Sequence, residues 1–200
     1  MEKECCVKDG ALQRCFWAGS DPDYIRYHDK EWGLPCHDDR VLFEFLILEG
    51  AQAGLSWITV LRKRENYRKA FDNFSPQKIA TYDEKKIKQL LANEGIIRNR
   101  LKIKSAIQNA KAYLQVVKEY KTFDAYIWQF VNHKPIQNSL KARKDLAAST
   151  EISDAMSKDL KKRGFNFVGS TICYAFMQAT GMVNDHFVTC FRHKEVKRRE

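Results

Sequence analysis

Leu90-Leu91-Ala92-Asn93-Glu94-Gly95-Ile96-Ile97-Arg98-Asn99-Arg100 joins two runs of helical period. The second run is the clearest pattern in the chain. Ile103, Ala106, Ile107, Ala110, Tyr113, Leu114 and Val117 recur at i, i+3, i+4 and i+7, the signature of one buried helix face. On the near side Ile87, Leu90 and Leu91 keep the same period. Gly95 permits positive φ in the tight connection. Arg98, Arg100, Lys102 and Lys104 then open the second helix. Backbone N–H groups at a helix start, with cations beside them, suit a phosphate. The plainer reading is an ordinary pair of helices with a solvated basic face.

Working outward, the rest of the chain also reads as helix. Residues 38–53 are apolar on nearly every side between Val41 and Leu48, so that helix is expected to be buried all round. Ser56 is a candidate cap for a second helix running to Ala70. Ser75-Pro76 is a start signal, and Thr122 opens a helix through Val131. Ser153 is expected to cap a helix ending at Gly164, and Ser170 one ending at Gly181, with both glycines as C-terminal stops. No long alternating segment reads as a strand. Residues 134–150 form a polar, basic connection, and residues 1–37 read as irregular. The fold class is therefore all-α. Only 9 Gly and 4 Pro in 200 residues fit a few long elements.

No apolar stretch of about 18 residues exists, so a membrane span is not expected. The first 15 residues hold no signal-peptide core. A cytoplasmic protein follows, whose 6 cysteines are thiols or metal ligands rather than disulfides. The net charge of +10 is unevenly spread: residues 1–60 carry 6 basic and 11 acidic side chains, and residues 61–200 carry 29 and 14. A one-sided basic surface suits a polyanion such as nucleic acid; the alternative is a merely soluble basic protein.

Two constellations carry chemistry. No Cys-x-x-Cys pair occurs, but His186 and Cys190 are four apart, which on a helical turn puts imidazole and thiolate on one face. Cys15 and His28 lie on the irregular N-terminal segment. The four together would make a closed, structural tetrahedral site tying the two ends of the chain. Unliganded, packed His and Cys residues are the commoner fate of such types. Cys173 reads as a buried apolar filler.

The second constellation is acidic and aromatic. Glu49 ends the apolar run and precedes Gly50-Ala51-Gln52-Ala53-Gly54-Leu55-Ser56-Trp57. A buried carboxylate must find donors or bear a large desolvation cost. It is either a cap or ion-pair partner, or an acid aimed into a pocket. The small residues beside it favour the pocket, because they let another molecule approach the backbone. Trp17, Tyr24, Tyr27, Trp32 and Trp57 cluster nearby in sequence. Core packing is the usual fate of aromatics. Planar rings with one carboxylate also suit a planar, electron-poor nucleobase.

Taken in order along the chain, these stretches resemble the 3-methyladenine DNA glycosylase I family, within the helix-hairpin-helix glycosylase superfamily. The stretches are Asp21-Pro22, Tyr24-Ile25, Tyr27-His28-Asp29 and Glu31-Trp32-Gly33, then Leu48-Glu49-Gly50 and Gln52 to Leu61, then Gly95-Ile96-Ile97-Arg98, Val131-Asn132-His133, Lys161 to Phe165, Phe167-Val168-Gly169, Thr171 to Tyr174 and Val183 to His186. The resemblance spans residues 14–192. It implies an extension over residues 1–13, a single domain of one or two helical lobes over 14–192, and a basic tail over 193–200.

The resemblance also implies a structural Zn2+ on Cys15, His28, His186 and Cys190. It implies a base pocket on Glu49, Tyr27 and Trp57, with Tyr24, Trp17 and Trp32 around it. Trp57 would stack on the base, Tyr27 would pack and hydrogen-bond, and Glu49 would accept from the exocyclic amine. Gly54-Leu55 resembles the element probing the gap left by a flipped nucleotide. The Gly95 hairpin, with Arg98, Arg100 and Lys102, resembles the DNA-backbone clamp. The implied activity is hydrolytic removal of N3-methyladenine from double-stranded DNA, leaving an abasic site. A monomer is expected, and no lyase step, since no lysine sits at the pocket positions. A non-catalytic, zinc-stapled module that recognises damage is the alternative. A zinc hydrolase would need an open metal position, which four protein ligands deny. The sequence departs from the family at the extension, which holds Cys5 and Cys6, at the basic tail, and at Phe16, where Gly is common. The superfamily's catalytic Asp after the hairpin is absent, with Asp124 left as the open alternative.

Overall fold

The computed structural model describes residues 6–10 and 12–197. Cys5 and the last three residues lie outside the described part. The chain is mostly helical, as the periodicity implies, but it opens with a hairpin. Strands β1 (Cys6–Asp9) and β2 (Leu12–Cys15) pair antiparallel, with Cys6 opposite Cys15. Helix α1 (Pro22–Lys30) follows, with Pro at its first position and the Asp21 side chain accepting from the Asp23 and Tyr24 amides. The expectation of an irregular N-terminal segment is thus corrected. Two four-residue strands are too short to show alternation against the background, and the Asp21-Pro22 start signal of α1 went unread.

Helix α2 (Asp39–Gln52) runs through the centre, buried from Leu42 to Ala51. Asp38 caps it by accepting from the Val41 amide at 2.9 Å. The helix expected over 56–70 breaks at residues 62–63 into α3 (Trp57–Leu61) and α4 (Arg64–Ala70). Ser56 makes no capping bond and instead pairs with the Thr59 hydroxyl. Both sides of the break face the core, with Val60 on α3 and Tyr67 on α4 buried. Short α5 (Pro76–Ile79) is capped by Ser75, and α6 (Glu84–Ala92) by Asp83.

Helix α7 (Arg100–Tyr120) is the long periodic element, and Asn99 caps it. Helix α8 (Phe123–Trp128) is capped by Thr122. Asp39 accepts from the Phe123 and Asp124 amides and from the Tyr113 hydroxyl, which locks α2, α7 and α8 together. Beyond the two-residue strand β3 (Ile136–Gln137) come α9 (Glu151–Lys162) and α10 (Ser170–Ala179). Thr150 rather than Ser153 is the cap of α9. Ser153 is the third helical residue, whose hydroxyl accepts from the Thr150 amide in a reciprocal box. Gly169 rather than Ser170 occupies the cap of α10.

Gly164 and Gly181 end α9 and α10 with φ of +88° and +71°, the left-handed stop their positions imply. Gly181 has a second role: a Cβ there would lie 2.2 Å from the carbonyl carbon of Leu34. That contact lets residues 33–36 lie along the end of α10, where Gly33 N donates to Gln178 O and Cys36 N to Thr180 O. Strand β4 (Val183–Asn184) pairs parallel with β3. The chain closes with α11 (Phe191–Lys197), which packs on β2 and buries Arg192 and Val196. The start of the basic tail is therefore part of the fold.

Candidate active site and metal centre

Cys15 ends β2, and His28 lies on the last turns of α1. His186 and Cys190 flank the turn between β4 and α11. That turn is not helical, so their four-residue spacing acts through a different geometry from the helical one expected. All four side chains are buried, and their ligand atoms lie within 4.8 Å of one another. The S–N separations are 3.4 Å for Cys190–His28, 3.6 Å for Cys15–His186 and 3.7 Å for Cys190–His186. A tetrahedral ion with Zn–S of about 2.3 Å and Zn–N of about 2.0–2.1 Å separates its ligands by roughly 3.5 Å. The donor set fits.

The outer shell fits as well. His28 Nδ1 lies 2.7 Å from Asp29 Oδ1, and Asp29 is held by the Arg14 guanidinium. His186 Nε2 lies 3.2 Å from the Trp32 carbonyl. Each imidazole thus spends one nitrogen on an acceptor and presents the other, His28 Nε2 and His186 Nδ1, to the cluster. Gly33 is required here: its φ is +77°, and a Cβ would sit 3.0 Å from His186 Nε2. Burial lowers the His186 pKa and keeps the ring neutral. The bond from Cys15 to Cys190 holds the Cys15 thiol protonated and lowers the Cys190 thiol. A divalent cation removes that conflict by admitting both as thiolates.

The metal cluster backs a second site. Trp17 packs on His28 with centroids 5.2 Å apart, and Trp32 on His186 at 4.6 Å. Both indoles also line a cavity of about 330 Å³. Tyr24, Tyr27, Trp57 and Glu49 line it too, so the structure assembles every residue expected at the base pocket. Sequence reasoning missed Gln52, Leu146, Ala147, Ala175 and Gln178 in the wall. Gln52 lies one turn beyond Glu49 and could have been found by helical spacing; the others carried no signal. Phe16 is also in the wall, with Arg143 stacked 3.7 Å over its ring. The departure from Gly thus holds the residues 143–147 side of the mouth. Asp124 lies outside the lining and pairs with His37 at 2.7 Å.

Glu49 is 4% exposed, and burial raises its carboxyl to about 8. Among the described residues no donor reaches it. Glu44, on the same helix and equally buried, is held by Arg64 and Arg68. The Trp57 indole N–H is buried without an acceptor among the described residues.

A narrower recess of about 260 Å³ continues from Glu49 and Gln52 past Gly54 and Leu55 to α10. Gly54 adopts φ +78° with open space around it, and Leu55 is 42% exposed. The first turn of α7, just past the hairpin from α6, reaches the base of this turn through Lys102. Gly95 does not adopt positive φ, contrary to the expectation. Its Cβ would instead meet Asn66 and Asn93 at 3.0 Å; the position needs close approach. The loop is held by Lys63 Nζ on Glu94 O and by the Ile97 amide on the Tyr67 hydroxyl. Arg98 and Arg100 are half-exposed beside Glu94 and Glu84. Lys102, expected with them at the phosphates, donates instead to the Ala51 and Ala53 carbonyls.

Sequence and fold both match known proteins. The methyladenine glycosylase family model matches residues 17–193. DNA-3-methyladenine glycosylase 1 of Escherichia coli K12 is 54% identical over 179 residues, covering 90% of this chain and 96% of that protein. A crystal structure of 3-methyladenine DNA glycosylase I superposes with a TM-score of 0.88 at 53% identity, covering 90% and 98% of the two chains. A second, a Tyr-to-Phe variant of 3-methyladenine DNA glycosylase I in complex with 3-methyladenine, gives 0.86 at 34% identity, covering 89% and 96%. With an aromatic cavity, an unpaired acid and this agreement across nearly its whole length, the chain belongs to the methyladenine glycosylase family.

Proposed function

We propose that the chain removes N3-methyladenine from double-stranded DNA by hydrolysing the N-glycosidic bond of a flipped nucleotide, leaving an abasic site. The observation that carries this reading is Glu49, a buried acid in an aromatic cavity that no donor among the described residues reaches. Such a carboxyl waits for a ligand that brings its own positive charge. N3-methylation makes the adenine of the nucleotide cationic. The base then leaves neutral and needs no proton, so the enzyme's work is selection and positioning. Extrusion costs a few kcal/mol and is recovered in the pocket. Trp57 stacks on the base, Tyr27 packs against it, and Glu49, ionised by the arriving cation, accepts from the exocyclic amine. Leu55, carried on the Gly54 turn, fills the vacated space in the duplex. Arg98 and Arg100 hold the backbone beside it.

Zn2+ is the metal that the Cys15, His28, His186 and Cys190 set fits. Those four residues would hold it as a closed site, where it would supply structure and no reacting ligand position. His28 and His186, so held, would brace Trp17 and Trp32 from behind.

The test is the release of bases from methylated duplex DNA. The parent protein is expected to liberate 3-methyladenine, and Glu49→Gln to do so far more slowly while retaining duplex binding. A parent that binds methylated DNA but frees no base would establish the non-catalytic recognition module instead.

A further inference from the structure

Lys102 lies in the first turn of α7, between the exposed hairpin cations and the body of the protein. Its Nζ lies 2.7 Å from the Ala51 carbonyl and 2.7 Å from the Ala53 carbonyl. These carbonyls belong to the end of α2, where a helix leaves its last C=O groups without intrahelical partners. The native closure of that end is thin. The Ala53 amide reaches Gly50 O at 3.4 Å, and the Leu55 amide takes Gln52 O at 2.6 Å. A lysine at a helix C-terminus satisfies such carbonyls and suits the dipole. The turn that follows is Gly54-Leu55, and one helical turn before it is Glu49.

We propose that Lys102 is a positioning residue. It fixes the Gly54-Leu55 turn to the hairpin, so that seating the hairpin on the DNA backbone sets how Leu55 enters the duplex. This rests on the glycosylase reading above. Two of the ammonium's three donors are committed to protein carbonyls, and desolvation lowers its pKa, a poor state for a phosphate anchor. Arg98 and Arg100 are more exposed and are left to meet the backbone. The rigid link passes from those cations along one turn of α7, through Nζ, to the end of α2.

The experiment uses Lys102→Met, which keeps the stem and removes the donors. Three quantities are read on duplex DNA carrying 3-methyladenine: single-turnover excision, the salt dependence of binding, and flipping from the fluorescence of a 2-aminopurine beside the lesion. The parental slope of log K against log[salt] is expected to persist. Excision and the fluorescence amplitude are expected to fall together, with excision down on the order of 10–100-fold, the scale of a displaced catalytic geometry. Binding of free 3-methyladenine is expected to stay parental, because the cavity itself is intact. A slope flatter by roughly 0.9 would make Lys102 a phosphate contact and overturn the proposal. Parental excision would overturn it too, as would an equal loss of free-base binding. Should Lys102→Met not fold, Lys102→Arg is read the same way: its planar fork does not reproduce an ammonium between two carbonyls, so reduced flipping at parental slope is expected, and parental flipping overturns the proposal. No excision by the parent would sink the glycosylase reading, a separate result.

Discussion

Glu44 and Glu49 sit on one helix at the same depth and are treated oppositely. Glu44 meets two guanidinium groups; Glu49 meets none among the described residues. Its carboxyl, ordinarily near 4.5, is pushed up to about 8 by burial alone. Unfolded, the group ionises above its ordinary value; folded, it keeps its proton up to about 8. The fold therefore loses stability as pH rises through that window. Glu49→Gln removes the penalty, so it is expected to raise Tm at pH 8 and leave it nearly unchanged at pH 4. Activity has the opposite dependence. A cation needs the ionised acid, so kcat/KM, which reports the free enzyme, is expected to climb toward pH 8 and level above it. A parent kcat/KM that falls above pH 8 would make Glu49 a proton donor and reverse its role.

At the scale of elements, what the sequence disclosed depended on which contacts decide a helix end. The long period of α7 was legible because many residues repeat one pattern. The Ser75 and Thr122 caps were legible because a local hydroxyl meets a nearby amide. The break between α3 and α4 was not, because Lys63 and Arg64 there answer to Glu94, Glu31 and Glu44 elsewhere in the chain. The same holds for the hairpin. Its cations were visible, but not that Lys102 turns inward to α2 and that Gly95 serves contact rather than φ. The pairs left outside, Arg98–Glu94 and Arg100–Glu84, are exposed, where ion pairs contribute little and exchange easily for phosphate. Arg98→Ala and Arg100→Ala are each expected to flatten the salt slope of duplex binding by about 0.9. Parental slopes in both variants would remove the hairpin from the DNA contacts.

For the whole molecule, type and spacing singled out the four residues of the Cys/His cluster, the family resemblance raised them above the commoner unliganded reading, and the frame around them was not legible. Cys15 and His186 are 171 residues apart. Nothing local in the sequence announces the strand pair that delivers Cys15, the outer-shell Arg14–Asp29 pair, or the Gly33 backbone against His186. The cluster joins β2, α1 and the turn before α11, and the aromatic cavity leans on it through Trp17 and Trp32. Loss of the metal should therefore reach both stability and ligand binding. Cys190→Ala is expected to lose stoichiometric zinc, to lower Tm by about 2–4 °C for each kcal/mol lost, and to weaken free 3-methyladenine binding. The helical core over α2 and α7 contains none of the four cluster residues, so far-UV helicity is expected to persist. Cys173→Ala is the control. Its thiol is buried on α10 against the Val168 carbonyl, outside the cluster. It is expected to cost some packing and keep both zinc and base binding. Stoichiometric zinc in Cys190→Ala would place the metal elsewhere, and intact base binding in a zinc-free Cys190→Ala would show that the indoles stand without the brace.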